Sequence, residues 1–205
     1  LKDTRVCMQA MDAAVCVVSA KDGAEPMTER VHGWAKELGL ARAFFISKMD
    51  VENADFEKAL ADIKENVCRE ATAFQIPIGS GATFTGVIDL MSERAFMFQA
   101  GDTGAFTETD IPADIKELAT EARSSLIEDI ASNDESLMEK FFDGSLSAEE
   151  IRAGLAKAMR AGLMVPVYCG SGTQNRGVVQ LLDFIVDAFP NPADRVERQG
   201  KLGDA

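Results

Sequence analysis

The sequence predicts an α/β protein: a mostly parallel open sheet with an α+β subdomain inserted into it. Two observations support this. Three strand-loop-helix units follow one another along the chain, and such units in series imply parallel strands joined by right-handed crossovers. Between the second and third units lie about ninety residues of another character, in which short strands separated by turns give way to helices.

The first unit opens with residues 13–20, AAVCVVSA, a continuous valine-rich run bounded by Asp12 and by Lys21-Asp22-Gly23. A strand covered on both faces has this composition, so the run is predicted to be a central parallel strand. Pro26 then marks a helix start, and Met27, Val31, Trp34 and Leu38 recur at helical spacing until Gly39 ends the pattern. The second strand runs from Leu40 to Ser47. Asn53 is the predicted N-cap of the helix that follows, whose apolar stripe is Phe56, Leu60, Ile63 and Val67. The third unit has a strand over 163–169, a Gly-Ser-Gly loop at 170–172, and a helix carrying Val178, Leu181, Leu182, Ile185 and Phe189 that Pro190 stops.

Inside the intervening stretch, residues 74–78, 84–90 and 94–98 alternate as short antiparallel strands, with a glycine-rich turn at 79–81. Three helices follow. Pro112 opens the first, with Ile115, Leu118, Ala122, Leu126 and Ile130 on its apolar side; Leu137, Met138 and Phe141 mark a second that ends near Gly144. Ser147 and Glu150 form the capping box of a third that stops near Gly162. After Pro190 the apolar periodicity disappears and the chain reads as a linker.

Of the 205 residues, 46% are hydrophobic and 27% charged, which suits a chain with a substantial core. The apolar runs are far shorter than the roughly 20 residues a bilayer span requires, so no membrane partner is expected. The chain opens on Leu-Lys-Asp within a helical stretch, without a secretory signal or an initiator Met, which suggests a piece of a longer protein. A net charge of −13 repels phosphate backbones, so a direct nucleic-acid grip is not expected. Cys7, Cys16, Cys68 and Cys169 show no paired spacing and no clustered His, so they read as buried free thiols of a reducing cytoplasm; no metal site is indicated.

Open parallel sheets bind ligands beyond the carboxyl ends of their strands, which singles out the loops after Ala20, Ile46 and Tyr168. In Ser47-Lys-Met-Asp50, the Asp50 carboxylate can accept two parallel hydrogen bonds, from guanine N1–H and its exocyclic amine, while the Lys48 stem lies along the base. Adenine lacks that donor pair. The loop Gly170-Ser171-Gly172 can present backbone N–H groups to the O6 acceptor. Lys-x-Asp alone is a weak pattern, most often a solvated loop; its place at a strand end, two units before a Gly-Ser-Gly strand end, is what suggests base reading.

The ordered series Ala13 to Val18, Pro26 to Trp34, FISKMD at 45–50, FQIPIG at 74–79, FTGVIDL at 84–90, DIPAD at 110–114, LMEK at 137–140 and VPVYCGS at 165–171 resembles the second half of the GTPase domain of translation elongation factor G, in particular its diverged elongation-factor-G-like branch. The resemblance implies a partial P-loop GTPase-type core at 1–72 and 163–190, an inserted subdomain at 73–162, and a linker at 191–205 towards a following domain. It places the family's Asn-Lys-x-Asp motif on Ser47, Lys48, Met49 and Asp50, and its Gly-Ser-Ala loop on Gly170, Ser171 and Gly172. Ser47 in place of asparagine removes one carboxamide's hydrogen bonds, and Gly172 in place of alanine loosens its loop. Nucleotide binding is expected to weaken by about 1 kcal/mol, the net worth of one hydrogen bond.

No G-x-x-x-x-G-K-[ST] phosphate loop occurs in the 205 residues. The resemblance implies a cytoplasmic parent that binds GTP and GDP with magnesium and hydrolyses GTP on the ribosome, and a chain that by itself is inactive and holds no nucleotide tightly. His32, beside Trp34, reads as a surface or boundary residue rather than as the family's water-positioning histidine. The alternative is a non-catalytic module whose acidic inserted subdomain, with Glu117, Glu121, Glu128 and Asp129, docks a ribosomal stalk protein. A dinucleotide enzyme is disfavoured, because no G-x-G-x-x-G follows a strand.

Overall fold

The computed structural model describes residues 2–101 and 103–191. A short helix α1 (Lys2–Met8) leads into β1 (Ala13–Ser19), α2 (Pro26–Glu37), β2 (Ala41–Ser47) and α3 (Phe56–Asn66). The chain then forms β3 (Ala71–Ala73) and leaves for a second sheet, β4 (Gln75–Ile78), β5 (Gly86–Asp89), β6 (Arg94–Phe98) and β7 (Phe106–Thr109). Helices α4 (Lys116–Ala131), α5 (Glu135–Phe142) and α6 (Ala148–Arg160) follow, before the chain returns to the first sheet as β8 (Val165–Cys169) and ends its described part with α7 (Val178–Ala188).

The first sheet is wholly parallel, in the order β1-β2-β8-β3, and the second is antiparallel, β4-β5-β6-β7. This is the predicted α/β architecture with its α+β insert. Ser19 sits opposite Ser47, and Ile46 opposite Cys169, so the carboxyl ends of β1, β2 and β8 share one edge. Their loops therefore adjoin. One continuous set of buried side chains unites the two sheets: Phe44 and Ile46 of β2, Val167 of β8, Ile76 and Ile88 of the second sheet, Leu126 and Ile130 of α4. Burial of such side chains at about 1.5–3 kcal/mol each is what holds the insert against the parallel sheet.

Several expectations are corrected. Strand β1 lies at the edge of the described sheet rather than in its centre, and Val17 is 64% exposed. An apolar run records that both faces suit burial, and it carries no information on how many lateral neighbours the backbone has. The α3 cap is Asp55, whose carboxylate accepts from the Lys58 N–H at 2.9 Å; Asn53 instead occupies a left-handed turn, φ +64°. The helix expected from Pro112 begins at Lys116, and β3 and β7 were not anticipated. Cys16, Cys68 and Cys169 are buried, whereas Cys7 is exposed. From residue 192 on, the predicted linker lies outside the described residues.

His32 is also corrected. It is buried, stacked at 5.2 Å on Phe44, and its Nε2 lies 3.1 Å from Nη1 of the buried Arg42. A guanidinium only donates, so Nε2 is the bare acceptor and the ring is neutral. Burial, with the Arg42 charge next, holds this imidazole down at about 4.

Candidate functional site

The loop after β2 turns sharply at Lys48, a non-glycine residue at φ +62°. That left-handed step, costly for a residue with a Cβ, reverses side-chain direction within two residues. Met49 plunges into the core with no exposed surface, and Asp50 returns towards the loop after β8. Both backbone groups of Met49 are tied. Its N–H donates to the Gly170 carbonyl at 3.1 Å, and its carbonyl accepts from the Gly81 N–H at 2.8 Å.

The loop after β8 is closed by a reciprocal pair between Ser171 and Arg176, each N–H donating to the other's carbonyl at 2.9 Å. Gly170 is obligatory on packing grounds, because a Cβ there would run into the Arg176 carbonyl and the Phe45 ring. Gly172 stands in open space and is exposed, with nothing within 4 Å of a notional Cβ.

Hydroxyl chemistry joins the two loops. The Gln174 N–H donates to Ser171 Oγ at 3.2 Å, Ser171 Oγ lies 3.1 Å from Thr173 Oγ1, and Thr173 Oγ1 donates to Asp50 Oδ2 at 3.2 Å. A carboxylate only accepts and each hydroxyl has one proton, so the chain runs in one direction, from Gln174 through Ser171 and Thr173 to Asp50. The second carboxylate oxygen, Asp50 Oδ1, is buried and has no hydrogen-bond partner in the described structure. A buried acceptor left open costs free energy and is an arrangement that a donor-bearing ligand would complete.

The five predicted site residues thus fall into two groups. Asp50 and Ser171 come together at the Thr173 hydroxyl, and Gly172 lies between Ser171 and Thr173 in the same loop. Ser47 and Lys48 face the other way, lining a cleft of about 250 Å³ with Val17, Val18, Ser19, Gly23, Glu25 and Thr28. Lys48 Nζ reaches Asp22 Oδ2 at 3.4 Å, and Ser19 Oγ donates to the same oxygen at 2.7 Å. The Ser19 hydroxyl, aided by the Lys48 ammonium, holds the Asp22 carboxyl below its usual range.

Thr173, Arg176 and the turn at 81–84 were missed by sequence reasoning. Only Thr173 left a signal, a hydroxyl next to the Gly-Ser-Gly loop. Among the described residues no group of three or more His, Cys, Asp or Glu is placed to hold a metal ion. No helix among the described residues is long and apolar enough to cross a membrane.

A parallel sheet whose strand-end loops converge on an open acceptor belongs to the broad class of α/β domains that bind ligands at the carboxyl edge. The family described as the elongation factor Tu GTP binding domain matches residues 1–191, and the chain belongs to that family, a translational GTPase-type domain. Its fold is also similar to a crystal structure of a protein from Thermus thermophilus, with 30% sequence identity, 93% of this chain covered and a TM-score of 0.82. The chain spans 28% of the length of that protein.

Proposed function

We propose that this chain is the guanine-reading part of a GTPase resembling elongation factor G, whose parent binds and hydrolyses GTP on the ribosome in the cytoplasm. The observation that supports the reading best is the unsatisfied Asp50 Oδ1, on a carboxylate whose other oxygen is oriented by Thr173. A guanine edge brings two parallel donors, N1–H and the exocyclic amine, which match a carboxylate fork. Gly172, exposed on the facing loop, offers backbone N–H chemistry to O6. Lys48 is directed to Asp22 and lines the cleft on the β1 side, away from Asp50. Ser47 supplies a hydroxyl where the related motif has a carboxamide, so affinity is expected to be modest.

The test is a base swap. Asp50→Asn should shift preference from GDP towards xanthosine diphosphate, because an amide can donate to xanthine's second carbonyl. Titrations followed by amide NMR read both affinities, with phosphate release from GTP by the purified chain as a control expected at background. Unchanged guanine preference in the variant would remove Asp50 from the reading.

The resemblance further implies that a ribosomal stalk protein docks on the helices of the insert. Exposed Leu118 of α4 and Phe142 of α5, at 56% and 75%, support that docking.

A further inference from the structure

Three segments distant in sequence meet at the candidate site: the loop after β2, the loop after β8, and the turn between β4 and β5. The third belongs to the insert and carries no residue of the recognition loops. Its contacts nevertheless form a closed hydrogen-bonded ring. Starting in the turn, the Phe84 N–H donates to the Gly81 carbonyl at 3.2 Å, and the Gly81 N–H donates to the Met49 carbonyl at 2.8 Å. The Met49 N–H donates to the Gly170 carbonyl at 3.1 Å; the adjoining Ser171 is paired in both directions with Arg176. Arg176 Nη1 then donates to the Phe84 carbonyl at 2.7 Å and closes the ring.

Geometry gives the ring a function. Strands β2 and β8 hold the roots of the two loops through the pairing of Ile46 with Cys169, and the Gly170 N–H donates to the Ile46 carbonyl at 2.9 Å. Beyond that point no ladder fixes the separation of Asp50 from Gly172. The Met49 N–H on the Gly170 carbonyl and the Thr173 hydroxyl on Asp50 join the loops directly, and the turn adds a third constraint from the insert. Gly81 grips the β2 loop at the residue before Asp50, while Arg176, bridged to Ser171 across the β8 loop, reaches Phe84 at the other end of the same four-residue turn. Phe84 is fully buried and its ring packs tilted against Phe98, centroids 5.4 Å apart, so the anchor is part of the core.

We propose that the 81–84 turn and Arg176 are positioning elements that set the distance between the two base-reading loops, and thereby the preference for guanine over bases lacking the exocyclic amine. The inference rests on the base-reading role just proposed. A base with the 2-amino group needs both Asp50 oxygens in place while O6 meets the facing loop; hypoxanthine makes one fewer demand on that spacing. Opening the ring should therefore lower GDP affinity more than inosine diphosphate affinity. A purely structural tie would weaken both equally.

The experiment compares GDP with inosine diphosphate for the full chain by amide NMR titration. Arg176→Leu should reduce the affinity ratio about fivefold, the order expected for one impaired hydrogen bond, and Arg176→Lys, which keeps a donor for the Phe84 carbonyl, should restore it. Should Arg176→Leu fail to fold, Arg176→Gln, whose shorter side chain falls short of that carbonyl, is read in the same way. A ratio unchanged in Arg176→Leu or Arg176→Gln, with or without lower stability, overturns the positioning role and leaves base reading standing. A wild-type chain without preference for GDP over inosine diphosphate overturns base reading, and the positioning role with it.

Discussion

Asp50 and His32 show how the same chain treats two polar groups at the margin of its core. Asp50 is left with an open acceptor at the strand edge, while His32 has its Nε2 satisfied by the Arg42 guanidinium and its ring covered by Phe44. The histidine has a measurable consequence. Its folded pKa of about 4 lies below the ordinary 6.5, so between those values the unfolded chain binds more protons than the folded one. Stability from this site is thus complete above pH 6.5 and is lost as pH falls towards 4, by roughly 3 kcal/mol in all. Protonation would place a cation against Arg42, with only Glu70 opposing and Lys36 adding to the repulsion. Urea unfolding at a series of pH values should show the difference between wild type and His32→Gln shrinking over that window; a constant difference would show that His32 does not titrate there. In the sequence, His32 could not be distinguished from a boundary residue. Its partner is ten positions away on a strand, and only the packing of α2 on β2 brings them together.

At the scale of elements, local signals were most dependable where a cap acts within four residues. The Ser147 and Glu150 box was legible and is formed: Ser147 Oγ accepts from the Glu150 N–H at 3.3 Å, and Glu150 Oε2 accepts from the Ser147 N–H at 3.0 Å. Glu150 also pairs with Lys140, which ties α6 back to α5. Ser147→Ala should cost about 1 kcal/mol in chemical or thermal unfolding, the usual worth of an N-cap hydroxyl. A loss below about 0.3 kcal/mol, a fraction of a usual cap, would mean that the Lys140 contact alone secures the helix start. Elements that depend on distant partners were harder to read. Strand β3 has three residues and owes its existence to pairing with β8, some ninety positions later; β7 follows a loop of poor periodicity and is defined by its register with β6. The Asn53 cap was misassigned because Asn suits both a cap and a left-handed turn, and local sequence does not decide between them.

Across the whole molecule, the insert shares its core with the parallel sheet and reaches back to the candidate site through Gly81 and Phe84. The helices of the insert carry exposed acidic side chains, among them Glu117, Glu121 and Glu128, and Phe142 of α5 is 75% exposed. If a stalk protein docks there, a pull-down with purified stalk protein at low salt should recover the chain, and Phe142→Ser should weaken capture about tenfold, as for an interface anchor. Absence of capture by the wild-type chain would remove that partner.

Taken by itself, the sequence determined the repeated strand-loop-helix order, the presence of an α+β stretch between the second and third units, and which strand ends carry Asp50 and Gly-Ser-Gly. Those follow from periodicity and from turn chemistry, which act over a few residues. Tertiary structure alone decided the edge position of β1, the burial of His32, the division of Ser47 and Lys48 from Asp50, and the contacts of Thr173, Arg176 and Gly81 with the two loops. Each of these depends on contacts between residues far apart in the chain. A hydrogen bond is specified by separation and direction in space, and residue order constrains neither until the core has formed.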